Sequence, residues 1–157
     1  MLRLSKLADY AVVVLVRLSH GEAVQTSPGI AVATDIPEPT VAKVLKALAS
    51  GELVTSQRGA RGGYRLARPL PAVSVADVVT AIDGPIALTA CVEGSGAGCS
   101  AEHQCPCRGR WDLVNTAVRQ ALGAVSLADM SAHVPRAFPP RVPISIAAPE
   151  LATQLAE

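Results

Sequence analysis

Apolar side chains recur at three- and four-residue steps in three stretches of this chain, and capping residues or glycine–proline punctuation bound each stretch. Leu4, Leu7, Ala11, Val14, Leu15 and Leu18 share one face of a helix that Ser5 can cap. It runs to about Ser19, where His20-Gly21 ends it, Gly21 serving as a left-handed cap. A short second helix spans roughly Pro28 to Ala33, with Thr26 and Ser27 as caps, and Thr34-Asp35-Ile36 reads as a tight turn. The third helix opens on Pro37-Glu38-Pro39-Thr40, where the first-turn amides have no helical partner and proline is tolerated. Its buried stripe is Val41, Val44, Leu45 and Leu48, and Gly51 stops it.

The pattern then changes. Leu53-Val54-Thr55-Ser56 and Tyr64-Arg65-Leu66-Ala67 read as two strands joined by residues 57–63, a connection holding Gly59, Gly62 and Gly63. Pro69 and Pro71 punctuate the end of this hairpin. Ser74 caps a fourth helix, Val75 to Ile82, which Asp83-Gly84-Pro85 terminates. A long helix follows from about Gly109 to Val125, with Trp111, Val114, Val118, Ala121, Leu122 and Val125 along one side, and Ser126 caps a last short turn through Met130. From Pro135 onward, five prolines and many alanines predict a disordered or loosely docked tail.

Three helices followed by a hairpin is the order of a winged helix-turn-helix, in which the third helix enters the major groove and the hairpin reaches the flanking backbone or minor groove. The fold class expected is therefore mainly α with one small β-hairpin. Thr40, Lys43 and Lys46 lie on the polar face of the third helix, opposite the Val/Leu stripe. Arg58 and Arg61 stand at the hairpin tip with Gly59 between them, where glycine lets the backbone approach DNA and arginine suits phosphates or a narrow minor groove. Charge supports this placement. Residues 1–70 carry nine Lys/Arg against five Asp/Glu, whereas residues 71–157 carry five against eight, so a net charge of +1 hides a basic N-terminal half.

Composition sets the remaining bounds. Half of the 157 residues are apolar but only Tyr10, Tyr64, Trp111 and Phe138 are aromatic, so the core must be Ala, Val, Leu and Ile. Lys6, Asp9 and Arg17 interrupt the first apolar stretch, which reads neither as a membrane span nor as a secretory signal, and the expected location is the cytoplasm. No Ser/His/Asp or paired-carboxylate arrangement stands out, and His20, His103 and His133 are scattered, so no enzyme is expected.

All four cysteines fall in one window of seventeen residues, Cys91, Cys99, Cys105 and Cys107, separated by seven, five and one residues. In the reducing cytosol such a group points to a soft metal or an iron–sulfur cluster rather than to disulfides. Zinc sites usually pair cysteines two to four residues apart, a habit these gaps fit poorly.

Leu7-Ala8-Asp9-Tyr10-Ala11, residues 36–45 (Ile-Pro-Glu-Pro-Thr-Val-Ala-Lys-Val-Leu) and Arg58-Gly59-Ala60-Arg61-Gly62-Gly63-Tyr64 together resemble the IscR-type winged-helix regulators of iron–sulfur metabolism. Ser126-Leu127-Ala128-Asp129-Met130 and the pair Trp111 and Asn115 extend the resemblance, over about residues 1–131, toward the subgroup regulating the SUF iron–sulfur assembly genes. The resemblance implies a homodimer bound to a double-stranded DNA operator. It divides the chain into a DNA-binding head (1–84), a cysteine loop (85–108), a dimerisation helix (109–131) and a tail (132–157). It further implies an iron–sulfur cluster, two-iron in preference to four-iron, held by Cys91, Cys99 and Cys105, and repression of cluster-assembly genes. Such regulators take a histidine three residues past the third cysteine, where this chain has Arg108, which cannot ligate. The fourth ligand stays open. Cys107 and Asp9 stand level, the latter because nitric-oxide-sensing relatives use an acid at the matching place on the partner's first helix, and His103 comes third. A nitric-oxide or redox sensor of the same fold, and a cluster-holding redox protein with no DNA role, are the alternative functions.

Overall fold

The computed structural model describes residues 3–21, 24–59, 62–96, 98–100 and 104–132. The predicted tail from residue 133 onward lies outside these residues. The order is α1 (Lys6–Ser19), α2 (Ser27–Thr34), α3 (Glu38–Ser50), β1 (Val54–Gln57), β2 (Gly63–Leu66), a 3-10 turn (Leu70–Ala72), α4 (Val75–Asp83), α5 (Trp111–Gly123) and α6 (Leu127–Ser131).

Side-chain caps set most of the helix starts. Ser5, Thr26, Ser74 and Ser126 each accept a hydrogen bond from an amide of the first turn. At about 1 kcal/mol per cap, these fix where each helix begins. Ser74 with Asp77 and Ser126 with Asp129 form reciprocal capping boxes. Leu4 departs from the expected buried face: it precedes the Ser5 cap, lies outside the helix and is 48 % exposed. His20, with φ −81°, is the C-cap of α1, its amide donating to the Arg17 carbonyl.

α1, α3 and α4 pack around one aliphatic core in which Val14, Leu15, Val41, Leu45, Leu48 and Val78 are buried. α2 joins through Ile30, and Asp35 at φ 57° makes the left-handed turn into α3. Gly51 ends α3 without a left-handed φ; a Cβ there would meet the Ala81 Cβ at 2.6 Å, so glycine allows α3 and α4 to approach. Leu53 is not in β1 as expected, because its amide still donates to the Leu48 carbonyl at the exit of α3.

β1 and β2 pair antiparallel with Val54 opposite Leu66 and Gln57 opposite Gly63. The hairpin is tied to the head at a third line of backbone, since Tyr64 and Gln25 exchange amide–carbonyl bonds of 2.8 and 2.9 Å. α5 is shorter than the periodicity predicts. Gly109 turns at φ 71° before it, and beyond it Val125 leaves the helix to accept the Val75 amide at 2.9 Å. The Leu127 amide donates to the Val73 carbonyl at 2.8 Å, and α6 therefore docks back on the head with Leu127 buried. No helix among the described residues is long and apolar enough to cross a membrane.

Candidate functional site

Two groups of residues carry chemistry, one on the head and one between α4 and α5. On the head, α2 and α3 form the helix-turn-helix and β1–β2 the wing. Burying Val41, Val44, Leu45 and Leu48 leaves the opposite face of α3 to Lys43 and Lys46, both exposed. Thr40 is half-buried in the first turn, with its amide committed to the Pro37 carbonyl. Lys46 lines a groove of about 520 Å³ between α3 and the wing, together with Ser50, Ser56 and Tyr64. α3 and the wing thus border one groove.

At the wing tip Arg58 and Gly59 are exposed, Gly59 with φ 111°. Arg61 lies outside the described residues. The turn is closed by the Gly62 amide donating to the Gly59 carbonyl at 2.8 Å, so tightly that a Cβ on Gly62 would meet the Gln57 carbonyl oxygen at 2.5 Å. Arg65, not singled out from the sequence, adds a further cation: it is exposed on the wing, its Nε donating to Thr55 Oγ1 across the strands at 3.2 Å. Its two-residue spacing from Gly63 within a strand was the available signal.

The cysteines occupy the connection between α4 and α5. All four are free; Cys91, Cys99 and Cys105 are half-buried and Cys107 is exposed. Cys91 Sγ sits 3.2 Å from Thr89 Oγ1. The amides of Arg108 and Arg110 donate to the carbonyls of Cys105 and Cys107 at 3.2 and 3.0 Å, turning the chain into α5. Among the described residues no three His, Cys, Asp or Glu side chains converge on one point, and His103 lies outside them. Asp9 is exposed in the first turn of α1, beside Arg3, Lys6 and Met130 on an apolar-floored groove that also includes Val75, Val78 and Val79. The Lys6 ammonium there is held above its ordinary value first by Tyr10, through a hydrogen bond and charge, and more weakly by Asp9.

α5 itself buries only Asn115. Of the apolar stripe predicted for this helix, Trp111 and Val114 are exposed in the single chain, whereas Val118 and Leu122 are half-buried and Leu122 packs against the core; Leu113, outside that stripe, is 78 % exposed.

The model of the Rrf2 family, described as iron-dependent transcriptional regulators, matches residues 4–133. The chain belongs to the Rrf2 family. Rrf2 membership makes it a transcriptional regulator and not an enzyme. A helix-turn-helix regulator of Mycobacterium tuberculosis, Rv1287, is 43 % identical over 89 residues, which is 55 % of each protein; the match spans about half the length of that relative. Two solved structures share the fold over most of the chain. CymR, the global cysteine regulator of Bacillus subtilis, superposes with a TM-score of 0.63 at 26 % identity, covering 85 % of this chain and 99 % of CymR. IscR of T. potens gives a TM-score of 0.58 at 26 % identity, covering 87 % and 95 %.

Proposed function

We propose that this Rrf2 regulator is a homodimeric, DNA-binding repressor of iron–sulfur cluster assembly genes whose operator affinity is set by an iron–sulfur cluster at the cysteine loop. One observation carries the reading: every cysteine of the chain lies in the segment joining α4, part of the DNA-binding head, to α5, whose first turn leaves Trp111, Leu113 and Val114 exposed. A sensor placed there acts on the relation between the two.

The donor chemistry suits the cluster. Three half-buried free thiols in one loop are the soft ligands that iron–sulfur centres take, and the spacing is unlike that of zinc pairs. Cys91, Cys99 and Cys105 would hold the group, with the fourth position open to Cys107, Asp9 or His103. When bound, such a centre supplies sensitivity to oxidants and to iron supply. Holding the three thiols together would order the loop between α4 and α5 and so set the spacing of two heads on a two-fold operator. The bound and free loops can differ in operator affinity only by as much as they differ in head arrangement.

On the DNA side, the exposed Lys43 and Lys46, with Thr40 at the start of α3, would meet the major groove, while Arg58, Gly59, Arg61 and Arg65 would bring the wing to the backbone. Affinity should therefore fall steeply with salt. A second reading in the same fold, a nitric-oxide or redox sensor with other target genes, has the exposed Asp9 and the non-ligating Arg108 in its favour.

The test is selection of binding sites from a random duplex library by the anaerobic protein, followed by mapping of those sites in the source genome. Sites upstream of cluster-assembly genes, with affinities that differ between iron-loaded and iron-free protein, are expected. Equal affinity in both states would remove the switch, and sites elsewhere would remove the assigned target genes.

A further inference from the structure

The first turn and a half of α5 grips the cysteine loop on both sides of Cys91. Ahead of that thiol, the Leu88 amide donates to Asn115 Oδ1 at 3.1 Å and Asn115 Nδ2 donates to the Ile86 carbonyl at 2.9 Å. Behind it, the Glu93 amide donates to Asp112 Oδ1 at 3.1 Å. Asp112 and Asn115 are three residues apart and therefore neighbours on the helix surface. Asn115 is 3 % exposed, the one buried polar residue among those described.

Between the two grips the chain holds its own shape. The Val92 amide donates to the Thr89 carbonyl at 3.3 Å and Val92 itself is buried, while just past the second grip Ser95 Oγ reaches back to the Ala90 carbonyl at 2.8 Å. Cys91 thus rides on a folded platform fastened to α5. Cys105 and Cys107 reach α5 along the chain, through the turns that close on their carbonyls.

Stability alone does not account for both grips. Asn115 satisfies groups that burial would otherwise strand. Glu93 is exposed, however, and water would satisfy its amide without Asp112. What the Asp112 bond adds is register.

We infer that Asp112 and Asn115 are positioning residues that hold Cys91 in register with α5, so that a change of state at the cysteine loop is delivered to α5 through these hydrogen bonds. The inference rests on the sensor reading above and names the contact by which that sensor would act.

Iodoacetamide labelling of the full-length, reduced, metal-free protein, read by peptide mass spectrometry, follows each thiol separately. Asp112→Ala and Asn115→Ala are expected to raise the Cys91 rate about tenfold, equivalent to ~1.4 kcal/mol at 25 °C, the upper range of one net hydrogen bond. Cys99 should be unchanged. Asp112→Asn keeps an acceptor oxygen for the Glu93 amide and should restore the wild-type rate. If Asn115→Ala fails to fold, the half-exposed Asp112 and its two variants carry the test. The second readout is amide hydrogen exchange over residues 111–123 before and after reconstitution with iron and sulfide. Loading should slow exchange in the wild type and have at most half that effect in Asp112→Ala. Unchanged Cys91 labelling in the alanine variants, or equal acceleration at Cys91 and Cys99, would overturn the positioning role. A wild-type chain that takes up neither iron nor sulfide would instead overturn the sensor reading, and with it delivery to α5, whatever the labelling pattern.

Discussion

Replacing Gly62 by alanine separates the wing's part in DNA binding from the stability of the head. The new Cβ would lie 2.5 Å from the Gln57 carbonyl oxygen, 2.8 Å from that of Gly59 and 3.2 Å from the Arg58 carbonyl carbon, all backbone atoms. None can swing aside as a side chain would. Relief requires opening the turn and losing the bond from the Gly62 amide to the Gly59 carbonyl. Overpacking of this kind costs roughly 1–3 kcal/mol. Among the described residues of the tip, Arg58 and Gly59 are exposed and no core side chain is present, so the strain is released by a displaced tip rather than by unfolding. Arg58 and Arg61 move with it. Losing two phosphate contacts at ~0.9 each would make the slope of log K against log salt shallower by about 1.8, so the wild type would weaken about twelvefold more than the variant between 50 and 200 mM salt. Fluorescence anisotropy on a selected operator duplex over that salt range measures both slopes. Far-UV circular dichroism and thermal unfolding check the head. A folded Gly62→Ala protein with the wild-type affinity and salt slope would refute the assignment of the wing to DNA.

Other perturbations address the remaining parts. Gly51→Ala places a Cβ 2.6 Å from the Ala81 Cβ and should lower stability by about 1–3 kcal/mol in urea unfolding, with no change in metal content. Val114→Lys puts a charge among the exposed apolar residues of the first turn of α5 and should convert a dimer into a monomer by sedimentation velocity; an undisturbed dimer would place the interface elsewhere. Cys107→Ser and Asp9→Asn, compared by the decay of the iron–sulfur absorption in air, should distinguish the fourth ligand, because the variant lacking it decays faster. Equal, wild-type decay in both would leave His103.

Much of the head was legible because its signals are local. Ser5, Thr26 and Ser74 cap where the sequence places them, the Val41/Val44/Leu45/Leu48 stripe is buried, and hairpin and helix order give the winged architecture directly. Errors of one or two residues arose at Leu53, which the local turn ending α3 holds to the Leu48 carbonyl, and at Val125, drawn out of α5 by a tertiary contact with Val75. The role of Gly51 was invisible for the same reason: its neighbour Ala81 is thirty residues away in sequence. The site was half legible. Thiols announce themselves by type and spacing, whereas Asn115 entered only through the resemblance, with no partner assigned, and Asp112 not at all, because their partners in residues 86–93 lie 19 to 29 positions upstream. No periodicity records such bonds.

The central claim is tested most directly by the iron, acid-labile sulfide and zinc content per chain of protein purified without oxygen. The account predicts iron and sulfide in equal amounts, little zinc, and a ratio per dimer matching one cluster per cysteine loop. Zinc without sulfide, or no metal in a carefully anaerobic preparation, would contradict it and leave an Rrf2 regulator whose cysteine loop serves some other end.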